Sequence, residues 1–254
     1  MAECSVYRRS YLGATVALLG VVLTFTVSCI CLIILFPLRL LSVPRKWENS
    51  VIWGCAPSIL KFMNSRVEVI NREIYNPDEP CIVIANHSSL LDIPAIYIAT
   101  SGSLRMLSKF EMYLIPLIGW GMFFSHFIGV RRGSRKSGEH AQQLIGKRLK
   151  QGYQIYIAPE GTRSADGKLL PFKSGAFRLA KMHEVPIIVL ALEKPWEILP
   201  RTRLFPLYGG TIKATFLGRL ENRQNHGKTD KFPSADERLR EARELYLKHG
   251  FVES

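Results

Sequence analysis

A histidine and an aspartate five positions apart are the first residues in this chain whose types and spacing could do chemistry. His87 and Asp92 lie in the stretch "NHSSLLD" (86–92), directly after the apolar run "CIVIA". Five residues of a regular helix turn through about 500°, so within one helix the two side chains would point about 140° apart. They can meet only if His87 precedes a helix and Asp92 lies in its first turn, with Ser88 or Ser89 as the N-cap.

Such a pair is a candidate general base with an orienting carboxylate. An ionised Asp92 would fix the tautomer of His87 and stabilise the ring after it takes a proton, whereas the helix dipole favours the neutral ring. A plainer alternative is that Ser89 and Asp92 cap the helix and that His87 is an ordinary loop residue. Taken alone, the stretch favours this plainer interpretation.

A second candidate site is the turn "APEGTRS" (158–164), which follows the apolar run "YQIYI". Gly161 allows the backbone to turn tightly, Thr162 and Ser164 add hydroxyl groups, and Arg163 supplies a planar fork that matches a phosphate. The turn is therefore a candidate anion site. A simple turn with an exposed arginine is the alternative.

The elements that would position these turns alternate between short apolar strands and amphipathic helices. Strands are predicted for "VEVIN", "CIVIAN", "LRMLS", "FIGV", "YQIYIAP", "VPIIVLAL" and "TIKATFL". Helices are predicted for "SGEHAQQLIGKRLKQG", for "SGAFRLAKMHE" and, with Ser234 and Glu237 as a capping box, for 235–249. This order predicts an α/β fold with a largely parallel mixed sheet flanked by helices. Both polar turns follow strand ends, where open α/β sheets bind ligands.

The N-terminal quarter has a different composition. No charged residue occurs from Ser10 to Leu38, which predicts a membrane helix over about 11–38. Two basic residues precede this run and three follow it, a small bias that favours a cytoplasmic C-terminal side. The stretch 47–64 is either an interfacial helix that completes a hairpin or a connecting helix packed on the domain. We thus expect a membrane anchor over 1–64 and one globular domain over 65–254.

The net charge of +13 favours anionic partners such as nucleic acid, lipid headgroups or a phosphorylated substrate. The chain lacks the basic stripe with interleaved aromatic residues that nucleic-acid binding uses. Its five cysteines form no CxxC pair and its histidines are scattered, so we expect reduced thiols and no metal site. The apolar segment 112–128 either lines an acyl-chain tunnel, touches lipid or is a buried helix.

Four stretches, in order, resemble the motifs of the 1-acyl-sn-glycerol-3-phosphate acyltransferases, glycerolipid acyltransferases with an H-x4-D motif. "NHSSLLD" resembles their first block, and "KFEMYLIPLIGWG" with "IGVRR" resembles the second. "PEGTRS" matches the third residue for residue, and "VPIIVLAL" resembles the fourth, with Val189 where many members have a proline. The resemblance covers roughly 65–218.

The resemblance implies acyl transfer from acyl-CoA or acyl-carrier protein to the 2-hydroxyl of lysophosphatidate, at the cytoplasmic face of a membrane. It implies His87 as the catalytic base and Asp92 as its partner. Residues implied to bind substrate are Lys109, Glu111, Arg132, Glu160, Gly161, Thr162 and Arg163. Membrane lipids and a lysophospholipid are the expected partners, with no cofactor, metal or nucleic acid. The alternatives are another acceptor (glycerol 3-phosphate, a lyso-ornithine lipid or another lysophospholipid) and a non-catalytic membrane protein that binds anionic lipid.

Overall fold

The computed structural model describes residues 45–100, 104–115, 118–203, 209–221 and 233–254, together with a few positions between 15 and 33. The membrane helix predicted over about 11–38 therefore lies largely outside the described residues. Within them, no helix combines the length and the apolar content that crossing a bilayer requires.

The described residues form a mixed sheet between two layers of helices. The strands are β1 (Ser65–Ile70), β2 (Ile82–Ala85), β3 (Leu104–Lys109), β4 (Ile128–Val130), β5 (Gln154–Ile157), β6 (Ile187–Glu193) and β7 (Gly210–Leu220). The helices are α1 (Arg45–Phe62), α2 (Asp92–Thr100), α3 (Ile118–Phe124), α4 (Arg135–Lys150), α5 (Gly175–Met182), α6 (Pro195–Ile198) and α7 (Ala235–Lys248). Short 3-10 turns occupy Arg72–Ile74 and Phe110–Leu114. All seven predicted strands and the three predicted helices are confirmed.

The strands of the sheet lie in the order β1-β7-β6-β2-β5-β3-β4. Every neighbouring pair is parallel except β6 and β7, which are antiparallel. The predicted α/β fold with a largely parallel mixed sheet is confirmed. Because β2, β5, β6, β3 and β4 run in the same direction, the loops after these strands emerge at one edge of the sheet.

Strand β2 shows why these sequences form the centre of the sheet. All four of its residues are buried, with Val83 and Ala85 in the core on one face and Ile82 and Ile84 in the core on the other. Successive side chains of a strand point to opposite faces, so a continuous apolar run suits a strand covered on both sides. Helices α1 and α2 cover the first face, and helices α4, α5 and α7 cover the second.

Helix α1 accounts for the stretch 47–64. Its residues Ala56 and Leu60, and Met63 just beyond its end, are buried in the core beside α2. The buried side chains of this helix thus pack on the domain, and an interfacial position for the stretch stays a prediction.

The last helix, α7, begins at the predicted capping box. The Ser234 hydroxyl accepts a hydrogen bond from the Glu237 amide at 3.1 Å, and the Glu237 carboxylate accepts one from the Ser234 amide at 2.6 Å. Ala242 and Tyr246 of this helix are fully buried against the sheet. The amphipathic C-terminal helix is therefore an integral part of the domain.

Candidate active site

The loop after β2 brings His87 and Asp92 together in the way that their spacing required. Asp92 is the first residue of α2, and its Oδ2 accepts three hydrogen bonds, from His87 Nδ1 at 2.7 Å, from the Ser88 amide at 2.7 Å and from the Ser89 amide at 2.9 Å. The aspartate therefore caps its own helix while it holds the imidazole, so the two interpretations of this stretch are compatible.

The contact with Asp92 determines which nitrogen of His87 can act as a base. The carboxylate is fully buried, whereas the histidine side chain is 22 % exposed. A carboxylate oxygen can only accept, so the geometry assigns the ring proton to Nδ1 and leaves Nε2 able to take a proton from a ligand. Ser89 supports this arrangement, because its hydroxyl donates to the Leu199 carbonyl at 2.8 Å.

The loop after β5 lies directly against the histidine loop, since β2 and β5 are parallel neighbours. The His87 amide donates to Glu160 Oε1 at 2.9 Å, and the Ser164 amide donates to the His87 carbonyl at 2.7 Å. Glu160 Oε2 also accepts a bond from the Leu170 amide at 3.0 Å. Two turns that are some seventy residues apart in sequence are thus joined at the histidine itself.

Glu160, which the resemblance places among the substrate-binding residues, lies inside the protein and contacts the backbone of two loops. Its side chain is only 3 % exposed, and both carboxylate oxygens accept hydrogen bonds from backbone amides. Burial raises the pKa of this carboxyl group, while the amides of His87 and Leu170 act in the opposite direction. Glu160 is therefore a positioning residue that holds the two loops together.

Several cations surround the turn at Gly161. The Arg132 guanidinium donates a hydrogen bond to the Gly161 carbonyl, and Arg201 donates to the Arg163 carbonyl at 3.4 Å. The Lys173 side chain lies against Gly161, where an added Cβ would come within 2.8 Å of its Nζ. Gly161 also has a φ of +69°, so a side chain there would be strained as well as crowded.

The remaining predicted site residues lie at the same edge of the sheet but are more exposed. Lys109 is the last residue of β3, and Glu111 lies in the 3-10 turn that follows; both are exposed. Thr162 and Arg163 are partly buried. Of the two arginines in "IGVRR", Arg132 reaches the Gly161 turn, whereas Arg131 stacks over the Phe110 ring at 4.7 Å.

Sequence reasoning missed Lys173 and Arg201. Lys173 is ten residues beyond Arg163, and its amide donates to the Pro159 carbonyl at 2.8 Å, which folds "PFK" back onto the turn. Arg201 follows α6, in a stretch with no motif. A basic residue soon after a candidate anion turn was the available signal for Lys173, while nothing in the sequence pointed to Arg201. Among the described residues, no three histidine, cysteine, aspartate or glutamate side chains form a potential metal site.

The part of the chain that carries both loops matches a known protein family. The family model described as Acyltransferase matches residues 66–193, half of the chain, and this span contains both loops. The chain belongs to the Acyltransferase family. The match runs from the first strand to the end of β6 and leaves α1, β7 and α7 outside.

Several relatives of this chain have names that specify a reaction. The 1-acyl-sn-glycerol-3-phosphate acyltransferase BAT2, chloroplastic, of Brassica napus is 31% identical over 158 residues, which cover 61% of this chain and 45% of the relative. The human 1-acyl-sn-glycerol-3-phosphate acyltransferase beta is 30% identical over 168 residues, covering 65% and 59%. The chain spans about half the length of the curated relatives it matches.

A solved structure shows the same fold. The crystal structure of the 1-acyl-sn-glycerophosphate acyltransferase PlsC from Thermotoga maritima aligns with a TM-score of 0.71 at 22% identity. The alignment covers 93% of this chain and 96% of that one. The mixed sheet and its flanking helices are therefore an architecture that this chain shares with a solved acyltransferase.

Proposed function

We propose that this protein transfers an acyl group from a thioester, acyl-CoA or acyl-carrier protein, to the 2-hydroxyl of lysophosphatidate. The buried Asp92 carboxylate that holds Nδ1 of a partly exposed His87 is the observation that carries the proposal. Family membership and the names of the relatives supply the reaction class and the acceptor.

The proposed reaction uses Nε2 of His87 as a general base. The acceptor hydroxyl loses its proton to Nε2 as its oxygen attacks the thioester carbonyl, and Asp92 stabilises the imidazolium that forms. The tetrahedral intermediate then collapses, the carbon–sulfur bond breaks, and the leaving thiolate takes the proton from His87. An ester and a free thiol result, so the reaction requires no acyl-enzyme and no cofactor beyond the thioester.

The cations beside this histidine suit an acceptor that carries a phosphate. Arg132, Arg163, Lys173 and Arg201 border the Gly161 turn, and no described carboxylate forms an ion pair with any of them. Unpaired cations around a turn of small residues attract a phosphomonoester, and arginine can bind it through two parallel hydrogen bonds. We assign the acceptor phosphate to this cluster, and we propose that Lys109, an exposed residue at the end of the neighbouring strand β3, assists in binding it.

Replacing Arg163 by alanine should raise the apparent KM for lysophosphatidate by about 10- to 100-fold, the effect of losing one charged hydrogen-bond pair, while kcat changes less. Initial rates over a range of acceptor concentrations measure both constants. Monoacylglycerol, which lacks the phosphate, should be used equally poorly by both proteins. Arg240→Ala, which removes an exposed arginine from α7, is the matched control. An unchanged KM would place the phosphate elsewhere.

The proposed function as a whole is tested by an acceptor panel. Purified protein in detergent receives labelled acyl-CoA or acyl-carrier protein and, in turn, lysophosphatidate, glycerol 3-phosphate, a lyso-ornithine lipid or lysophosphatidylcholine, and the products are identified by mass. We expect phosphatidate as the main product. Preferential acylation of another acceptor would replace the substrate but keep the reaction, and no product from any pair would reject the proposal.

We also propose that the protein works at a membrane surface, on the cytoplasmic side. The segment after β3 exposes Leu114, Ile115, Trp120 and Phe123, the last two being 56 % and 61 % exposed. Exposed apolar groups beside exposed arginines suit a surface of anionic lipid. The uncharged run from Ser10 to Leu38 supports the same location.

The double variant Trp120→Gln and Phe123→Gln should bind vesicles of phosphatidylglycerol and phosphatidylcholine about tenfold more weakly, because two large apolar side chains no longer enter the interface. Co-sedimentation with the vesicles measures this. Activity on a short-chain, water-soluble lysophosphatidate should be retained. The control is Met182→Gln with Leu247→Gln, which removes exposed apolar groups from α5 and α7. Equal loss of binding in both pairs would contradict the assignment.

A further inference from the structure

Tyr246 of α7 lies far outside the residues that the family model matches, yet it contacts the loop that carries His87. Its hydroxyl accepts a hydrogen bond from the Asn86 amide at 3.1 Å and donates one to the Leu190 carbonyl at 2.7 Å. Both distances lie within the ordinary range for hydrogen bonds. The C-terminal helix therefore touches the residue immediately before the proposed base.

This contact completes a series along the loop. The four successive amides of residues 86 to 89 each donate to a side chain: that of Asn86 to Tyr246, that of His87 to Glu160, and those of Ser88 and Ser89 to Asp92. All three acceptor side chains are buried. Glu160 and Asp92 belong to the family motifs, whereas Tyr246 comes from outside them.

The reason for this arrangement lies in the end of β2. The pairing of β2 with β6 reaches Ala85 and Leu190 and continues no further, so the Asn86 amide needs another acceptor. The Asn86 side chain is held separately, because its amide group donates to the Leu192 carbonyl at 2.9 Å and accepts from the Leu192 amide at 2.8 Å. The Tyr246 hydroxyl thus accepts the hydrogen bond that a backbone carbonyl would accept if the pairing of β2 continued.

The ring of Tyr246 is fixed independently of its hydroxyl. It is fully buried and makes edge-to-face contacts with Phe172 and Phe251 at centroid distances of 5.6 and 5.5 Å. Burial also raises the pKa of the phenol, which keeps its proton available for the Leu190 carbonyl. Removing the hydroxyl alone should therefore leave the packing of α7 in place.

We propose that Tyr246 is a positioning residue for the acyl transfer, whose hydroxyl holds the peptide before His87 so that the imidazole stays aligned between Asp92 and the substrate. This inference rests on the proposed function. According to this proposal, the C-terminal helix contributes a residue to the active site. The orientation of α7 then affects catalysis as well as folding.

Tyr246→Phe is the direct test. We expect kcat to fall about tenfold while the KM values for donor and acceptor stay within about twofold, since the substrate contacts remain and only the alignment of the base is lost. Hydrogen–deuterium exchange followed by mass spectrometry should show faster exchange of the amides at 86–89. Thermal unfolding measures the accompanying loss of stability.

Tyr75→Phe is the matched control, because it also removes a buried hydroxyl. Tyr75 donates to the Gln154 side chain at the start of β5, the edge of the sheet opposite the candidate site. This variant should lose stability but keep kcat and the exchange at 86–89. Phe251→Leu removes a ring that packs on Tyr246 but leaves the Tyr246 hydroxyl in place. This variant separates the effect of packing from that of the hydrogen bond and should also retain kcat.

These experiments distinguish a failure of the positioning role of Tyr246 from a failure of the proposed function. Equal falls in kcat for Tyr246→Phe and Tyr75→Phe, or unchanged exchange at 86–89 in Tyr246→Phe, would overturn the positioning role. A wild-type protein that acylates no acceptor would instead overturn the proposed function, and the amide exchange would still decide whether Tyr246 holds the loop.

Discussion

Replacing His87 by alanine is expected to lower kcat for acyl transfer to lysophosphatidate by about 10²- to 10⁴-fold, the usual contribution of a general base. The loss follows from geometry, since Nε2 is the ring atom left to accept the hydroxyl proton once Nδ1 is held by Asp92 at 2.7 Å. The KM for the acceptor should change little, because the side chain acts on the reacting hydroxyl rather than on the phosphate. Initial rates with labelled thioester donor measure both constants.

The control for this variant is His249→Ala. His249 also lies beside a carboxylate, with its Nε2 2.9 Å from Glu193 Oε1, but it belongs to neither loop of the candidate site. Its removal should leave kcat unchanged. Circular dichroism should show that both variants are folded, and full turnover by His87→Ala would remove the proposed base from the mechanism.

Asp92→Asn is expected to give the second large effect, a fall in kcat of about 10²- to 10⁴-fold with the fold retained. A single oxygen, Oδ2, accepts the bonds from His87, Ser88 and Ser89, while Oδ1 is buried without a hydrogen-bond partner. An asparagine can therefore keep its carbonyl in the Oδ2 position and place its NH₂ group where Oδ1 was. The variant removes the negative charge with little change in geometry, so it isolates the stabilisation of the imidazolium.

The amides of Ser88 and Ser89 favour this orientation of the asparagine, because both need an acceptor at the Oδ2 position. The Tyr156 hydroxyl is also buried without a partner, and burial, together with the nearby charge of Asp92, raises its pKa. It makes no hydrogen bond with Oδ1, so it supplies no acceptor at the position of the new NH₂ group. We expect Asp92→Asn to stay folded with a somewhat lower unfolding midpoint, because the new NH₂ group is buried without an acceptor.

Glu79→Gln is the matched control for the loss of a carboxylate. Glu79 forms two hydrogen bonds with Arg219, at 2.6 and 2.7 Å, at the opposite edge of the sheet. This variant should retain kcat. If Asp92→Asn also retained kcat, the charge of Asp92 would have no part in the reaction, and its role would be limited to capping α2.

The sequence supported the fold well because the central strands β2, β5 and β6 are short, largely apolar runs. Strands covered on both faces by helices require such runs, and the amphipathic segments between them supply the covering helices. The antiparallel pairing of β6 and β7 was not predictable, since an apolar run has the same pattern whichever way its neighbour points.

At the candidate site, too, local geometry was predictable from the sequence, whereas contacts with distant parts of the chain were not. The spacing of His87 and Asp92 required a helix to start between them, because only then can the side chains meet, and this local geometry could be worked out from the chain alone. The direction of Glu160 could not, since a glutamate in a polar turn can face either the ligand or the interior. Its burial depends on the amides of His87 and Leu170, which approach from other parts of the chain.

The sequence by itself determined the elements, their order and the two turns that carry reactive side chains, because backbone preferences and apolar periodicity act over short stretches. Only the tertiary structure decided that Lys173 and Arg201 border the anion turn and that Tyr246 supports the loop of the proposed base. These contacts join residues up to 160 positions apart. No local pattern records them, since they arise from the packing of helices and loops around one edge of the sheet.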